Sequence, residues 1–229
     1  MKRFAIIGLG QFGKSVAIRL AQRGVEVLAL DSDINKIEDI KEEVAHAVEI
    51  NATDLKALKA QNIAEMDAVV VAIGENFEAL MLTVSHLMEL KVPRIIAKAA
   101  TQQQRQILEK MGVEEILSPE EEIGKGVAEK LLNASIRSYL PLPDDYEIVE
   151  IEAPKKITKK SIKEIDFRYK YQLTLITIRR FIEEEVEGNK QKYEHLLSIL
   201  NAETRIEPHD ILIVLGKTED VDRFINLNI

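Results

Sequence analysis

The sequence contains no cysteine among its 229 residues. Disulfide bridges, thiolate metal sites and cysteine nucleophiles are therefore excluded. A chain without cysteine fits the reducing environment of the cytosol. Hydrophobic residues make up 46% of the chain, a share typical of globular proteins, and the length is enough for one large or two small hydrophobic cores.

Basic residues are outnumbered by acidic ones. Lysine and arginine together number 31 against 39 aspartates and glutamates, which gives a formal net charge of −8. This balance argues against a polyanionic partner, and the sequence shows no basic stripe with interleaved aromatic residues. We therefore expect no nucleic-acid partner.

Long apolar runs are also missing. No run approaches the roughly 20 residues that a helix needs to cross a bilayer. The first residues lead directly into a predicted strand, so we expect no signal peptide. These features together predict a soluble protein.

A glycine motif lies close to the start of the chain. The segment Phe4–Gly13 is an apolar run that ends in Gly-x-Gly-x-x-Gly and then enters a helical pattern. In this motif Gly8 permits a tight turn after the strand, Gly10 lets a phosphate approach the backbone, and Gly13 lets the helix pack closely on the sheet. The free N–H groups and positive dipole end of the helix then face the anion.

An acidic residue follows the glycine motif at a meaningful distance. The segment Val25–Leu30 reads as a second buried strand, and Asp31 comes directly after it. A carboxylate about 20 residues past the glycines is where the ribose hydroxyls of a dinucleotide are held. Strand, glycines, helix, strand and acid in this order favour a nucleotide site over the simpler alternative of a tight turn without a ligand.

The first half of the chain, up to about residue 118, alternates short apolar runs with helical patterns, which predicts a parallel sheet covered on both faces. The predicted strands are Arg3–Ile7, Val25–Leu30, Ala45–Glu49, Ala68–Ile73, Ile95–Ala99 and Glu115–Leu117. The predicted helices are Gln11–Arg23, Lys36–Glu43, Asp54–Ala60, Phe77–Lys91 and Gln102–Lys110. Six strands and five helices make a complete Rossmann-like, doubly wound α/β domain, for which we predict the bounds 1–118.

Polar residues follow several of these strands, at the edge where such sheets bind ligands. They are Asn51–Asp54, Gly74–Asn76, Lys98 within the fifth strand and Ser118–Glu120 after the sixth. A buried lysine is rare without a partner. We therefore expect Lys98 to reach an anion at this edge, the alternative being an internal pair with Glu120 or Glu122.

A long amphipathic helix is predicted over residues 119–140. Its apolar stripe consists of Ile123, Val127, Leu131, Leu132, Ile136 and Leu140. The stripe must pack either on a partner subunit or on a second domain of the same chain, and the pattern leaves both open. The segment Pro141–Asp145 reads as a rigid polar break, so we predict a helix and linker over 119–143 and a second domain over 144–229.

The remaining residues predict a small α+β domain of about 80 residues. Strands are predicted at Glu147–Glu152, Leu173–Ile178, Glu203–Ile206 and Ile211–Leu215, and helical segments at Ser161–Ile165, Tyr193–Leu200 and Asp220–Ile225. The acidic run from Glu183 to Glu187 reads as a solvated face without a function of its own.

The sequence shows no catalytic cluster. His86 and Glu89 share a helix face, but a pair spaced by three residues does not make a metal site. Neither a serine nucleophile elbow nor a phosphate-loop lysine after the glycines is present. The C-terminal part offers no proton donor for a dehydrogenase. Binding without catalysis indicates a sensor rather than an enzyme.

These residues resemble the regulator of K⁺ conductance (RCK) family, specifically the single-repeat cytosolic subunits of Ktr/Trk-type potassium uptake systems. The resemblance covers essentially the whole chain. It is carried by Ile6–Gly13, Val27–Asp31, Asn51–Thr53, Val69–Gly74, Ala97–Ala99, Ser118–Glu120 and Asp210–Gly216.

The resemblance implies a regulatory, non-enzymatic assembly. Its members form dimers through the helix predicted at 119–140, and the dimers form an octameric ring at the cytoplasmic face of the membrane, beneath a K⁺-translocating subunit. Which nucleotide is bound, ATP or ADP, or NADH or NAD⁺ in some relatives, would set the shape of the ring and thereby open or close the ion gate.

The resemblance also assigns site residues by position. Phosphates would lie on Gly8, Gly10, Gln11, Phe12 and Gly13, the ribose on Asp31 and Ser32, and the adenosine against Asn51, Ala52, Thr53, Ile73, Gly74 and Asn76. Lys98 would sit near phosphate. Glu120 matches a residue tied to a divalent cation, Mg²⁺ or Ca²⁺, at the interface between the nucleotide and the dimer.

Three departures bear on the ligand. Gln11 stands where ATP-responsive members usually carry arginine, which weakens the case for ATP over ADP or NAD(H). Some relatives bind cyclic di-AMP in the C-terminal domain; Arg168 matches the expected basic residue, whereas Thr174 replaces asparagine and His209 replaces glycine.

The rival function from another class is a small NAD-dependent oxidoreductase. In that case Asp31 would favour NAD over NADP, because its carboxylate would repel the 2′-phosphate of NADP.

Overall fold

The computed structural model describes residues 2–186 and 189–228. Contacts within the chain divide it into two compact units, Met1–Glu121 and Glu122–Ile229. Across the residues described, no helix combines the length and the apolar character that a membrane crossing requires.

The first unit alternates strands with helices. Its strands are β1 (Arg3–Ile7), β2 (Glu26–Asp31), β3 (His46–Glu49), β4 (Ala68–Val71), β5 (Ile95–Lys98) and β6 (Glu115–Leu117). Its helices are α1 (Gln11–Gln22), α2 (Ile34–Glu38), α3 (Leu55–Ala60), α4 (Phe77–Glu89) and α5 (Gln102–Met111), with a 3-10 turn at Ile63–Glu65. The strands pair in parallel in the order β3-β2-β1-β4-β5-β6. The predicted doubly wound sheet is confirmed.

Continuous apolar runs form the central strands because both faces of the sheet are covered. Ile6 packs with Ala17 of α1 and Ile37 of α2 in one core cluster. Its neighbour Ile7 points to the opposite face and packs with Leu80 of α4 in another. Successive side chains of a strand alternate between faces, so a strand buried on both faces shows no polar alternation.

The second predicted helix is displaced in the structure. It was expected at Lys36–Glu43, whereas α2 spans Ile34–Glu38. Asp33 is the N-cap, and its side chain accepts a hydrogen bond from the backbone N–H of Asn35. This cap starts the helix two residues before the predicted position.

The long helix predicted over residues 119–140 is wrong in its second half. The helix α6 spans Pro119–Leu132, and Ile136–Pro141 forms a strand, β7. The Asn133 side chain accepts a hydrogen bond from the backbone N–H of Ser135 in a local turn after α6. Ile136 and Leu140 are four residues apart, a spacing that fits a helix turn and a two-residue strand repeat equally well.

The segment predicted as a break, Pro141–Asp145, contains a hairpin turn: Pro141 ends β7, and residues 142–145 make the turn. It joins β7 to β8 (Tyr146–Glu152), and the backbone N–H of Leu142 donates to the carbonyl of Tyr146 at 2.7 Å. Asp144 and Asp145 both take the left-handed conformation, with φ of 60° and 61°. The turn lies inside the second compact unit.

The second unit is an antiparallel sheet with short helices, so the predicted α+β architecture is confirmed. The remaining strands are β9 (Thr174–Val186), β10 (Asn189–Leu196) and β11 (Ile211–Lys217), in the sheet order β10-β9-β11-β8-β7. The helices are α7 (Ile162–Ile165), α8 (Phe167–Tyr171) and α9 (Thr218–Asn228). Phe224 of α9 packs against the rings of Phe167 and Tyr171, at centroid distances of 5.5 and 4.9 Å.

Two further predictions in this unit are wrong. The first half of the helical pattern at Tyr193–Leu200 falls on β10, because β9 is longer than predicted and supplies a pairing partner, and residues 197–200 have no regular structure. The strand predicted at Glu203–Ile206 is reduced to one bridge between Ser161 and Arg205. Within the predicted solvated acidic run, residue 187 lies outside the described residues, as do the side chains from residue 183 onward.

Candidate functional site

The strand order locates the candidate site. From β1 the chain proceeds to β2 and β3 on one side, and β4, adjacent to β1, leads to β5 and β6 on the other. In such sheets a crevice forms beyond the carboxyl ends of the strands where the order reverses. The predicted site residues lie at the carboxyl ends of β1 to β6 or just after them.

Two glycines of the motif are required by the backbone itself. Gly8 has φ of +93°, and a Cβ at this position would lie 2.9 Å from the carbonyl carbon of Ala72. A Cβ on Gly13 would lie 1.9 Å from the carbonyl oxygen of Gly8. A side chain is sterically excluded at both positions, as the motif predicts.

Gly10 is different, because a Cβ there would meet no atom within 4 Å. It is the exposed N-cap of α1, and as a glycine it has no side chain that could cap the helix. The first turn of α1, which begins with Gln11 and Phe12, contains no acidic residue. The backbone N–H of Lys14 donates to the carbonyl of Gly10 at 2.9 Å, whereas the N–H groups of residues 11–13 precede the first intrahelical hydrogen bond, so an anion facing Gly10 would satisfy them.

Asp31 holds the glycine loop in place. Its carboxylate accepts hydrogen bonds from the backbone N–H groups of Leu9, at 2.7 Å, and Asp33, at 2.9 Å. Lys36 lies 3.4 Å away and forms an ion pair with the same carboxylate. Asp31 is 8% exposed. A role in shaping the loop is therefore visible, while its contact with a ribose stays a prediction, as does that of the exposed Ser32 beside it.

The segment after β3 is a compact polar turn. The side-chain oxygen of Asn51 accepts hydrogen bonds from the backbone N–H and the hydroxyl of Thr53, at 3.0 and 2.8 Å. Ala52 between them is buried. The imidazole of His86 on α4 lies 3.1 Å from the carbonyl oxygen of Thr53. His86, which shares a helix face with Glu89, thus fixes this turn.

The connection after β4 approaches the same edge. Asn76 is the N-cap of α4, and its side chain accepts a hydrogen bond from the backbone N–H of Ala79 at 2.9 Å. Ile73 and Gly74 are partly buried between the strand and this cap. A Cβ on Gly74 would lie 4.0 Å from the ammonium of Lys98, which places the β4 connection beside that cation.

Lys98 connects three parts of the site. Its ammonium donates a hydrogen bond to Glu120 at 2.5 Å, and it lies 5.8 Å from the centroid of the Phe12 ring. The hydrogen bond from Lys98 lowers the pKa of Glu120, helped by a backbone hydrogen bond within Glu120 itself. Of the two alternatives for Lys98, the internal pair with Glu120 is therefore present, on the same side as the glycine loop.

The other predicted ligand groups are dispersed. In the described part of the chain, no three histidine or acidic side chains stand close enough to hold a metal ion. The three residues compared for cyclic di-AMP lie in the second unit: Arg168 on α8, Thr174 at the start of β9 and His209 in a loop with φ of 69°. His209 lies 3.7 Å from Glu152. Both ligand sets remain predictions.

Sequence reasoning missed three contacts of the site. These are the Leu9 hydrogen bond to Asp31, the Lys36 ion pair with Asp31, and the His86 contact to the turn after β3. The sequence gives only a weak indication of the Lys36 ion pair: Lys36 lies in the helix that directly follows the strand ending at Asp31, so its side chain can reach back to that carboxylate. The two backbone contacts leave no trace in residue types.

Residues 4–119 match the family model of the TrkA-N domain. Two relatives match over nearly the whole chain, both from Bacillus subtilis (strain 168). Ktr system potassium uptake protein C is 36% identical over 223 residues, which cover 97% of this chain and 96% of the relative. Ktr system potassium uptake protein A is 35% identical over 225 residues, which cover 98% and 96%.

Solved structures share the fold at low identity. The GsuK RCK domain has a TM-score of 0.65 at 15% identity, covering 99% of this chain and 47% of its own. The GsuK channel bound to NAD has a TM-score of 0.62 at 14% identity, covering 96% and 38%. This chain thus spans less than half the length of these structures. From the family match and the two full-length relatives together, it follows that the chain belongs to the TrkA-N domain family and is a relative of the Ktr potassium uptake proteins.

Proposed function

We propose that the protein is a nucleotide-sensing regulatory subunit of a potassium uptake system. The observation that carries this proposal is the glycine loop, which excludes side chains at Gly8 and Gly13 but leaves open space at Gly10, in front of the uncapped start of α1. The full-length similarity to two proteins named for a potassium uptake system supplies the physiological setting. Neither relative is named as an enzyme, and we assign this protein no reaction.

The ligand that fits the site is an adenine nucleotide. The phosphates would bind at the loop around Gly10, with Gln11 and Phe12 beside them, and the ribose would bind at Asp31 and Ser32. The adenosine would lie over the turn after β3 and the connection after β4. ATP and ADP are the first candidates, and NAD(H) is the alternative, in keeping with the NAD-bound GsuK channel of the same fold.

The helix α6 supports a dimer. None of its described residues is buried, and Ile123, Val127, Leu131 and Leu132 are all exposed, Leu131 by 81%. Apolar side chains in this arrangement favour a helix-to-helix contact with a second copy. We infer that such dimers form a ring at the cytoplasmic face of the membrane, octameric as in the resembling family, and that the ring contacts a membrane subunit that conducts K⁺.

A divalent cation is a further element of the proposal. Glu120 is 65% exposed and stands at the first turn of α6, close to Lys98 and on the side of the glycine loop. Mg²⁺ or Ca²⁺ would bind there together with the phosphates of the nucleotide, because carboxylate and phosphate oxygens are its preferred ligands.

Calorimetry tests this function directly. The purified full chain, stripped of nucleotide, would be titrated with ATP, ADP, NADH and NAD⁺, with and without Mg²⁺, and its mass measured by light scattering at each endpoint. Binding of ATP and ADP by a large assembly, without hydrolysis, is the expected result. Tighter binding of NADH would identify NAD(H) instead of ATP and ADP as the sensed ligand. Turnover of NADH would favour the oxidoreductase, and the absence of any binding would refute a nucleotide site.

A further inference from the structure

The ammonium of Lys98 lies between the first turns of two helices, α1 and α6. On one side it approaches the Phe12 ring, in the first turn of α1. On the other side it donates its hydrogen bond to Glu120, in the first turn of α6. Its side chain is only 12% exposed, so the cation is confined to this position rather than spread over the surface.

Glu120, the partner of Lys98, is much more exposed to solvent than Lys98 itself. The Glu120 side chain is 65% exposed, and water is therefore ready to solvate it when the pair opens. Ion pairs with one solvated partner contribute little net free energy. A pair of this kind exchanges readily when a stronger anion arrives.

A phosphate at the glycine loop is such an anion. Phe12 follows Gly10 by two residues on the same turn, so a phosphate before α1 comes close to the lysine that lies over the Phe12 ring. A pyrophosphate group carries more negative charge than one carboxylate and presents several acceptor oxygens. Two other lysines near the loop already have acidic partners, Lys14 with Asp39 and Lys36 with Asp31.

We propose that Lys98 exchanges partners: it pairs with Glu120 when the site is empty and with the phosphate when nucleotide binds. The exchange frees Glu120 at the start of α6, the helix that runs from the first compact unit into the second. Occupancy of the phosphate site is thereby converted into a change of charge pairing on that helix. This inference rests on the proposed nucleotide site and assigns its regulation to one named pair.

Competition between the two anions makes the exchange measurable. If Glu120 competes with phosphate for Lys98, removing its charge strengthens anion binding, and it does so only while Lys98 is present. We would titrate the full chain with inorganic pyrophosphate and with ADP in a metal chelator, using Glu120→Gln, Lys98→Met and the double variant. Glu122→Gln is the matched control, since it removes the same charge from an exposed neighbouring residue.

Glu120→Gln is expected to bind both probes about two- to fivefold more tightly than the unaltered protein, the range that corresponds to opening a partly exposed ion pair. In the Lys98→Met background the same substitution should change affinity little, and Glu122→Gln should have little effect in either. If Glu120→Gln increased the affinity equally with Lys98 present and in the Lys98→Met background, the effect would be general repulsion between the carboxylate and the anion, and the exchange would be overturned. Weaker binding by Glu120→Gln would also overturn it. If the unaltered protein bound neither probe, the proposed function would fail and the exchange with it.

A second measurement needs no substitution. With ¹³C-labelled glutamate, the carboxyl titration of Glu120 would be followed by NMR in the empty protein and at saturating pyrophosphate. Loss of the Lys98 hydrogen bond and the nearby anion should both raise the pKa of Glu120. An unchanged titration at saturation would overturn the exchange even if Lys98→Met failed to fold.

Discussion

The backbone N–H of Leu9 donates a hydrogen bond to the carboxylate of Asp31 at 2.7 Å, across 22 residues of sequence. The same carboxylate accepts a second hydrogen bond from the N–H of Asp33. The residue that the motif assigns to the ribose therefore also shapes the loop that would receive the phosphates.

Asp31→Ala should accordingly reduce both stability and nucleotide binding. Two backbone N–H groups lose their acceptor, at a cost of about 1–3 kcal/mol for each group that stays buried. We expect a lower melting temperature and a fall in ATP affinity of about tenfold or more, a loss of roughly 1.4 kcal/mol or more. Thermal unfolding and calorimetry measure the two effects. Asp39→Ala removes an exposed carboxylate paired with Lys14 and should leave both nearly unchanged; unaltered ATP affinity in Asp31→Ala would refute the ribose assignment.

The glycines of the loop should separate folding from binding. Gly13→Ala places a methyl group against the carbonyl oxygen of Gly8 and should destabilise the protein by about 3 kcal/mol or more, because backbone must move. Gly10→Ala meets no neighbour within 4 Å and should change the stability by less than about 1 kcal/mol, yet it should block the phosphate. Urea denaturation and nucleotide titration of both variants check this. Normal ATP binding by Gly10→Ala would contradict phosphate approach at this residue.

Leu131 offers a test of the dimer. Leu131→Gln replaces an apolar side chain that is 81% exposed in the single chain, so it should leave the fold intact and weaken the dimer. Burial of such a side chain at an interface contributes about 1.5–3 kcal/mol. Light scattering across a concentration series should show a shift toward monomer, with Lys130→Gln on the same turn as control. A dimer as tight as that of the unaltered protein would place the interface elsewhere.

Glu147 should make the second unit more stable in mild acid. The residue is 2% exposed, and burial raises the pKa of its carboxyl, which the hydrogen bond donated by Thr218 only partly offsets. Glu129 and Asp222 raise the pKa further through their negative charge. A carboxyl whose pKa is higher in the folded chain binds its proton more tightly there. Its contribution to stability is therefore full below the unfolded pKa of about 4.3 and is lost as pH rises through the folded pKa.

Glu147→Gln keeps the shape and removes the charge. It should unfold at higher urea concentration than the unaltered protein at pH 7, and the difference should shrink as the pH falls toward about 4.5. Glu203→Gln, an exposed carboxylate of the same unit, serves as control and should show no such trend. A difference independent of pH would mean that Glu147 is already neutral at pH 7 or acts through packing.

The first unit was predictable from sequence because its signals agree at every level. The apolar runs around Ile6 and Val70, the glycine spacing and the position of Asp31 all indicate the same parallel sheet. The second unit was harder, because a spacing of four residues, as between Ile136 and Leu140, fits both a helix and a strand. Only the pairing of β7 with β8 resolves it, and pairing depends on distant residues.

The gathering of the candidate site residues at one edge of the sheet was predictable, but their contacts were not. The strand ends that gather at one edge follow from topology, which the residue pattern fixes. The partner of Lys98 does not follow from topology: the sequence left a ligand and an acidic neighbour open, and in the folded chain Lys98 pairs with Glu120. Hydrogen bonds from backbone groups, such as that from the N–H of Leu9 to Asp31, depend on the path of the chain and not on which residues it contains.

The helix α6 starts in the first compact unit and ends in the second, and its two glycines, Gly124 and Gly126, follow the division between residues 121 and 122. A Cβ at either glycine would meet no atom within 4 Å, so the folded chain gives no packing reason for their small size. Each costs about 1 kcal/mol of helix stability relative to alanine. The turn that contains them is thus the least costly part of α6 to unwind, and it lies one turn beyond Glu120, the residue that Lys98 holds.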